Sequence, residues 1–373
     1  MQATARRAGA AWPCTAGRPR TRACSRARPQ ACAPAGPDAA SLAATVRADA
    51  NAAGLADAGE LALLVEAIAG ACSEIGAALE AAPLRGIGGL AGGANASGDA
   101  QKALDVVANE LFSARLAESG LVRVLASEEE EEARVVTPGA PYVVVFDPLD
   151  GSRNVDVNIP VGTIFGVYRS RQDLADECVE AQALRAGREQ VLAGYALYSV
   201  QTTLCLAPPG TERADFYTLD RASGRFLRSQ TGVHVPARGA IYSLNDARYN
   251  DWPDELRAYI DAVRNGESES GKQYSQRYVC SLVADFHRTL QQGGWCGNPR
   301  YHLRVVYELA PLALVAERAG GAATDGTREG QVLDMQPSQL HERAPLFIGS
   351  REDIAELETY GDVRQHGTKS YAF

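Results

Sequence analysis

Apolar runs of strand length alternate with helical periodicities along this 373-residue chain, and that alternation predicts an α/β or α+β fold with layered sheets. Three runs carry the strand signal: "YVVVF" at 142–146, "VGTIFGVYR" at 161–169 and "VLAGYALYS" at 191–199 are continuous and apolar, as in strands buried on both faces. The helical signal is equally direct. In 59–82, Leu61, Leu64, Val65, Ile68, Cys72 and Ile75 recur at helical spacing, as do Leu104, Val107, Leu111 and Leu116 in 99–118. A chain of this length buries a full core. No uninterrupted apolar run reaches the ~20 residues of a membrane span, and no internal repeat is evident.

Residues 1–37 contain seven Arg and no Lys, Asp or Glu. An Arg-rich, acid-free start without an apolar centre reads as an organelle transit peptide, in preference to a basic nucleic-acid-binding arm. Residues 38–58 are Ala-rich and weakly patterned, a linker into the helix at 59–82. In the Gly-rich stretch 83–99, Gly86, Gly88 and Ala91 make a G-x-G-x-x-A pattern. No strand precedes it and no helix opens on it, so it reads as a mobile loop and not a dinucleotide fingerprint. After the helix at 99–118, the short strand "LVRVLAS" runs into "EEEEEA", and the strand from Tyr142 runs into "FDPLDGSRNVD". A turn-rich middle follows 191–199. Then come a strand in "RGAIYSLND" (238–246), helices at 254–263, 281–292 and 311–321, and a strand at 344–350.

The chain carries a net charge of −9, and taking away the seven Arg of its first 37 residues leaves −16. So acidic a body is a poor nucleic-acid binder, and an anionic ligand would need metals or a few placed Arg. Of eight Cys, three (Cys14, Cys24, Cys32) fall in the Arg-rich start. Cys72, Cys178, Cys205, Cys280 and Cys296 form no C-x-x-C pair and no zinc-spaced cluster, as expected of reduced, mostly buried thiols.

The chemistry lies in acids at the ends of elements. Glu128 and Glu129 follow "LVRVLAS", and Asp147 and Asp150 end the next strand. Glu308 stands just before Pro311, in the first turn of a helix, and Asp99 and Asp105 flank the start of theirs. Oxygen ligands from several elements, with no Cys or His among them, select a hard cation such as Mg²⁺ or Mn²⁺. In "DGSRN", a Gly-Ser turn can aim backbone N–H groups at an anion. Carboxylates for metals beside an amide nest describe metal-assisted phosphate-ester hydrolysis. Alone, "DPLDGS" would be an Asx-rich turn and "EEEEE" a solvated charge run; their combination makes the reading.

"SEE" at 127–129, "DPLDGS" at 147–152 and "YE" at 307–308 resemble the lithium-sensitive, metal-dependent sugar phosphatase superfamily. "VGTIFGVY", "ARYNDW", "RYVCSLVADFHRTL", "HLRVVYELAPL" and "HERAPLFIGS" narrow the resemblance to the fructose-1,6-bisphosphatase family, in order from about Gly59 onward. The resemblance implies a layered sugar-phosphatase fold of two α/β subdomains with stacked helix and sheet layers. The first, 59–235, would hold the metal and catalytic acids and AMP-site-like helices; the second, 236–373, would bind the sugar 6-phosphate. Metals would sit on Glu128, Asp147, Asp150 and Glu308, with the Leu149 carbonyl and Asp99. Glu129, with Asp105 and Asp99, would orient and deprotonate the attacking water. Gly151 and Ser152 would hold the 1-phosphate, and Asn245, Tyr249, Arg277 and Tyr278 the 6-phosphate. Arg277 would reach over from a neighbouring subunit, implying an oligomer, usually a tetramer.

Departures from the family pattern mark the chain. Arg153 replaces the second Ser after Gly151, His302 stands where a substrate-binding Lys is usual, Asn298 replaces a Tyr, and the loop after it shortens to "NPRYHLR". Arg153 places a positive charge beside the phosphate turn, and Arg304, on the approach to Glu308, is placed to pair with the acids. These features resemble the redox-insensitive second plastid form, which lacks a regulatory Cys insertion; the region 170–190 holds only Cys178. A plastid location follows. The AMP site reads as eroded, with Ala58 and Ala62 in place of Thr and Pro141 in place of Lys, although Tyr142 and Arg169 remain. His287 reads as a structural hydrogen-bonder and Asp156 as structural. A sedoheptulose-1,7-bisphosphatase is the competing enzyme, and an inactive sugar-phosphate sensor or scaffold the competing non-enzyme.

Overall fold

The computed structural model describes residues 41–85, 90–94, 100–175 and 177–367. The transit-peptide reading of 1–37 and the Asp99 assignment lie outside the described residues. In chain order the first half runs α1 (Leu42–Ala52), α2 (Ala58–Arg85), β1 (Leu90–Ala94), β2 (Ala100–Lys102), α3 (Ala103–Glu118), β3 (Val122–Ser127), β4 (Arg134–Val135), β5 (Tyr142–Asp150), β6 (Val161–Arg169), α4 (Val179–Ala183) and β7 (Gln190–Tyr198). The second half runs β8 (Thr202–Ala207), β9 (Ala214–Asp220), β10 (Arg225–Val233), β11 (Ile241–Ser243), α5 (Asp254–Asn265), β12 (Ser275–Gln276), α6 (Leu282–Gln292), β13 (Trp295–Arg304), α7 (Ala310–Arg318), β14 (Ala322–Thr324), β15 (Arg343–Gly349) and α8 (Arg351–Thr359).

The long apolar runs become the centre of an eight-stranded sheet in the order β10-β9-β8-β7-β6-β5-β3-β4, and a second sheet has five strands in the order β12-β11-β13-β15-β14. Every side chain of β5 is buried. Successive residues of a strand point to opposite faces, and β5 obeys: Tyr142, Val144 and Phe146 join the core under α1, α2 and α3, whereas Val143 and Val145 pack with Val306 and Tyr307. On that second face, Ile164 and Tyr195 share a core with Phe286 of α6, Leu312 of α7 and Ile348 of the small sheet. The far side of the small sheet buries Trp295 and Phe347 against α5 and α8. Five layers result: helices, the large sheet, α6 with α7, the small sheet, and α5 with α8. The layered α/β expectation holds.

Several local expectations are corrected. The "linker" at 38–58 contains α1, an 11-residue helix capped by Ser41, whose Oγ accepts from the Ala44 N–H. Its apolar face is thin, but Leu42, Val46 and Ala50 are buried and Arg213 Nη2 grips Asp49 at 2.8 Å. The Gly-rich stretch contains β1, which pairs antiparallel with β2 just after it, and the second helix begins at Ala103 and not at 99. The turn-rich middle holds β8, β9 and β10, which extend the large sheet. The strand in 238–246 shrinks to three residues, the strand leading to Glu308 extends back to Trp295 as β13, and α8 was not anticipated. Helix α2 is long and apolar enough to cross a membrane by length and composition, yet its apolar stripe from Leu61 to Ile75 is buried in the core.

Because Val46 is fully buried, Val46→Asp places an unpaired charge in the core and should destabilise the protein by about 3 kcal/mol or more in urea unfolding. A change within experimental error would restore the linker reading.

Candidate active site

Strands β3 and β5 pair in parallel, so their C-terminal ends emerge together. That places Glu128, whose N–H donates to the Phe146 carbonyl at 3.0 Å, beside Asp147 and Asp150. Residues three apart on a regular strand face opposite sides of the sheet. Here the register slips by one: Asp147 pairs with Ile164 but Asp150 with Gly162. The extra residue restores both acids to one face, and Thr163 Oγ1 secures the irregular stretch by donating to the Pro148 carbonyl at 2.8 Å. Glu308 arrives from a π-helical turn, Val305–Leu309, between β13 and α7; such turns recur at functional sites.

Asp147, Asp150 and Glu308 bring carboxylate oxygens within 4.8 Å of one another, all buried. The Leu149 N–H donates to Asp147 Oδ1 at 2.9 Å, and the Arg304 N–H to Glu308 Oε2 at 2.6 Å. Asp150 Oδ2 accepts from the Val283 N–H at 2.8 Å and the Ser281 hydroxyl at 3.3 Å. Burial first, then the neighbouring Glu128 and Glu308 charges, hold the Asp147 carboxyl well above its ordinary range. Burial raises Asp150 to about 6 against its Val283 and Ser281 hydrogen bonds, and Glu308 to about 7 against the pull of Arg304. Burial also raises Glu128, with Arg304 opposing. The Arg304 guanidinium bonds Glu128 and reaches Glu308 at 4.0 Å. As expected, Arg304 pairs with the acids. An all-oxygen, multiply anionic and buried donor set fits a hard divalent cation.

Asp105 is buried in the first turn of α3, and its charge acts on Glu128. Glu129 hydrogen-bonds Glu128, and its own N–H donates to Ser127 Oγ at 3.2 Å. Gly151 takes φ 77°, the left-handed turn that favours glycine, and opens a 3₁₀ turn over Ser152–Val157 that includes exposed Arg153 and Asp156.

The remote set gathers at another sheet end. Strands β11 and β12 are parallel, and Asn245 follows the first while Arg277 and Tyr278 follow the second. The Arg277 N–H donates to the Tyr242 carbonyl at 2.9 Å, leaving an exposed side chain. Tyr249 donates to Asp261 at 2.7 Å. Asn298 and His302 lie on β13, which continues past the end of β11. His287 bonds the Tyr195 hydroxyl at 2.8 Å in the core, the structural role expected.

Sequence reasoning missed five contributors. Ser281 and Val283 hold Asp150; a Ser just ahead of an amphipathic helix is the available N-cap signal. Asn109, one helical turn after Asp105, accepts from Ser127 Oγ at 2.6 Å and donates to Glu130 at 3.0 Å, bracing the acidic turn. Arg300 lies close enough to Tyr278 for its charge to oppose the burial that raises that phenol. At the other end of β5, roughly 26 Å away at ~3.3 Å per residue, Asp57 accepts from the Tyr142 hydroxyl at 2.7 Å and bonds Arg169.

Models of the fructose-1-6-bisphosphatase N-terminal and C-terminal domains match residues 46–231 and 235–362. The chain belongs to this family. It is similar to the chloroplastic fructose-1,6-bisphosphatase of Brassica napus, 39% identical over 321 residues, which span 81% of this chain and 77% of the relative. The class 1 fructose-1,6-bisphosphatase of Chlorobium phaeovibrioides is 38% identical over 312 residues, covering 81% and 92%. The holo crystal structure of Leishmania major fructose-1,6-bisphosphatase superposes with TM-score 0.79 at 35% identity, covering 87% of this chain and 99% of that one. The family is metal-dependent, and the acid cluster supplies the ligands such an enzyme needs.

With Asp150 raised to about 6 and Glu308 to about 7, the folded chain holds protons that an unfolded chain has released near pH 4. The metal-stripped protein should therefore lose stability as pH rises from about 4 to about 7, and divalent cation should restore more stability at the upper end than at the lower. Thermal melts with and without chelator across that range measure this. A metal-free stability that rises through the window would contradict the electrostatics.

Proposed function

We propose that this chain is a fructose-1,6-bisphosphatase that hydrolyses the 1-phosphate of fructose 1,6-bisphosphate to fructose 6-phosphate and phosphate, with Mg²⁺, or Mn²⁺ in its place. The single observation behind it is the buried cluster of Asp147, Asp150 and Glu308 within a chain of this family. Glu128, Asp147, the Leu149 carbonyl, Asp150 and Glu308, with Asp99, would hold the cation. Bound there, it supplies charge stabilisation at the phosphate and lowers the pKa of water. Glu129, with Asp105 and Asp99, takes the proton of the attacking water. The water oxygen bonds phosphorus as the bond to the sugar's C1 oxygen breaks. Gly151 and Ser152 present backbone N–H groups to the transferred phosphoryl group.

Asn245, Tyr249, Arg277, Tyr278 and His302 grip the 6-phosphate, whose binding energy positions the reacting end. The exposed Arg277 reaches into a neighbouring subunit of a homotetramer. Two subdomains divide near residue 235, and residues 1–37 act as a plastid transit peptide. The chloroplastic relatives support a plastid location. A redox-insensitive form is supported by the thiols: Cys72, Cys205 and Cys296 are buried, and only Cys178 and Cys280 are exposed among the described residues. Asp57 already engages Tyr142 and Arg169, which supports weak or absent AMP inhibition.

Phosphate release by the purified protein with Mg²⁺ should be faster from fructose 1,6-bisphosphate than from sedoheptulose 1,7-bisphosphate. It should fall on the order of 10²–10³-fold in Asp150→Ala and stay unchanged at micromolar AMP. Preference for the seven-carbon substrate would make the chain a sedoheptulose bisphosphatase, and no release from either would favour a sensor.

A further inference from the structure

The segment from Arg277 to Val283 is fastened at five of its seven residues. The Arg277 carbonyl accepts from Arg288 Nη2 at 2.8 Å, the Val279 N–H donates to Asp285 Oδ2 at 3.1 Å, and the Cys280 carbonyl accepts from Asn154 Nδ2 at 2.8 Å. Arg288 and Asp285 bond each other at 2.7 Å, which locks the strap to α6. Its last anchor is the acid cluster itself, because Ser281 Oγ and the Val283 N–H both donate to Asp150 Oδ2. Gly151 lets this happen: a Cβ there would meet the Ser281 Cβ at 3.1 Å. Ser281 also caps α6, its Oγ accepting from the Ala284 N–H.

We propose that Ser281 is a positioning residue for Asp150: with the first turn of α6 it occupies Oδ2, so that Oδ1 is the oxygen turned toward Asp147 and Glu308. The strap then sets the distance between Asp150 and the Arg277–Tyr278 end, tying cation binding to the segment that faces the remote end of the substrate. The idea rests on the metal reading of the cluster. A carboxylate held on one oxygen cannot rotate to satisfy itself elsewhere, and losing such an outer partner commonly weakens a metal site by roughly 10–100-fold.

Mn²⁺ affinity measured by electron paramagnetic resonance on the full chain, without substrate, tests it directly. Ser281→Ala and Ser281→Gly should each bind Mn²⁺ roughly tenfold or more weakly, while Ser281→Thr, which keeps the hydroxyl, binds like wild type. Gly preserves most of the capping preference, so the chelated Ser281→Gly protein should melt close to wild type and separate positioning from helix capping. Wild-type affinity in Ser281→Gly, or loss in Ser281→Thr equal to that in Ser281→Ala, overturns the proposal alone. A wild-type protein that binds no Mn²⁺ overturns the metal reading with it.

Discussion

Burying Asp147, Asp150 and Glu308 within 4.8 Å of one another sets an electrostatic problem, because each charge loses water and faces others of its own sign. The surrounding structure answers it piece by piece. Arg304 supplies one positive charge, shared between Glu128 and Glu308. Backbone N–H groups of Leu149, Val283 and Arg304 each meet one carboxylate. Arg343 adds a weaker pull on Glu308, but Glu128, Asp147, Asp150 and Glu308 still outnumber the two guanidiniums, and a divalent cation would balance the remainder.

That requirement explains otherwise odd features of the fold. Two strands near one edge of an otherwise antiparallel sheet must run parallel so that their acid-bearing ends coincide. The register must slip at Pro148 and Leu149, or Asp147 and Asp150 would face opposite sides. The chain must enter α7 through a π-helical turn to deliver Glu308. Helix α6, packed between the two sheets, fixes Asp150 by its first turn and carries the strap from the remote residues. The helical and sheet layers serve as a rigid frame for acids that repel one another.

The sequence showed what depends on local pattern. Residues 161–169 match β6 residue for residue, and the periodicity of 281–292 gives α6 to within one residue. The acids were legible because charged residues at the ends of apolar runs are costly without a partner. What escaped depends on distance or parity. Helix α1 escaped because the segment is Ala-rich and only Leu42 and Val46 among its buried residues are large and apolar, which leaves little contrast to read. The edge strand β10 escaped because its middle, 228–232, is polar and at most half-buried, with only Phe226 and Val233 in the core. The bulge in β5 and the Ser281 contact, 131 residues from Asp150, exist only once the sheets have formed.

A divalent cation that competes with protons would hold this cluster together. Isothermal calorimetry of Mg²⁺ binding at about pH 6.5, in two buffers of different ionisation enthalpy, measures that competition. The account predicts an apparent enthalpy that differs between the buffers, because binding drives protons from the raised carboxyls, and the loss of both heat and difference in an Asp147→Asn, Glu308→Gln variant. Undiminished Mg²⁺ binding by that variant, or an enthalpy independent of buffer, would contradict it.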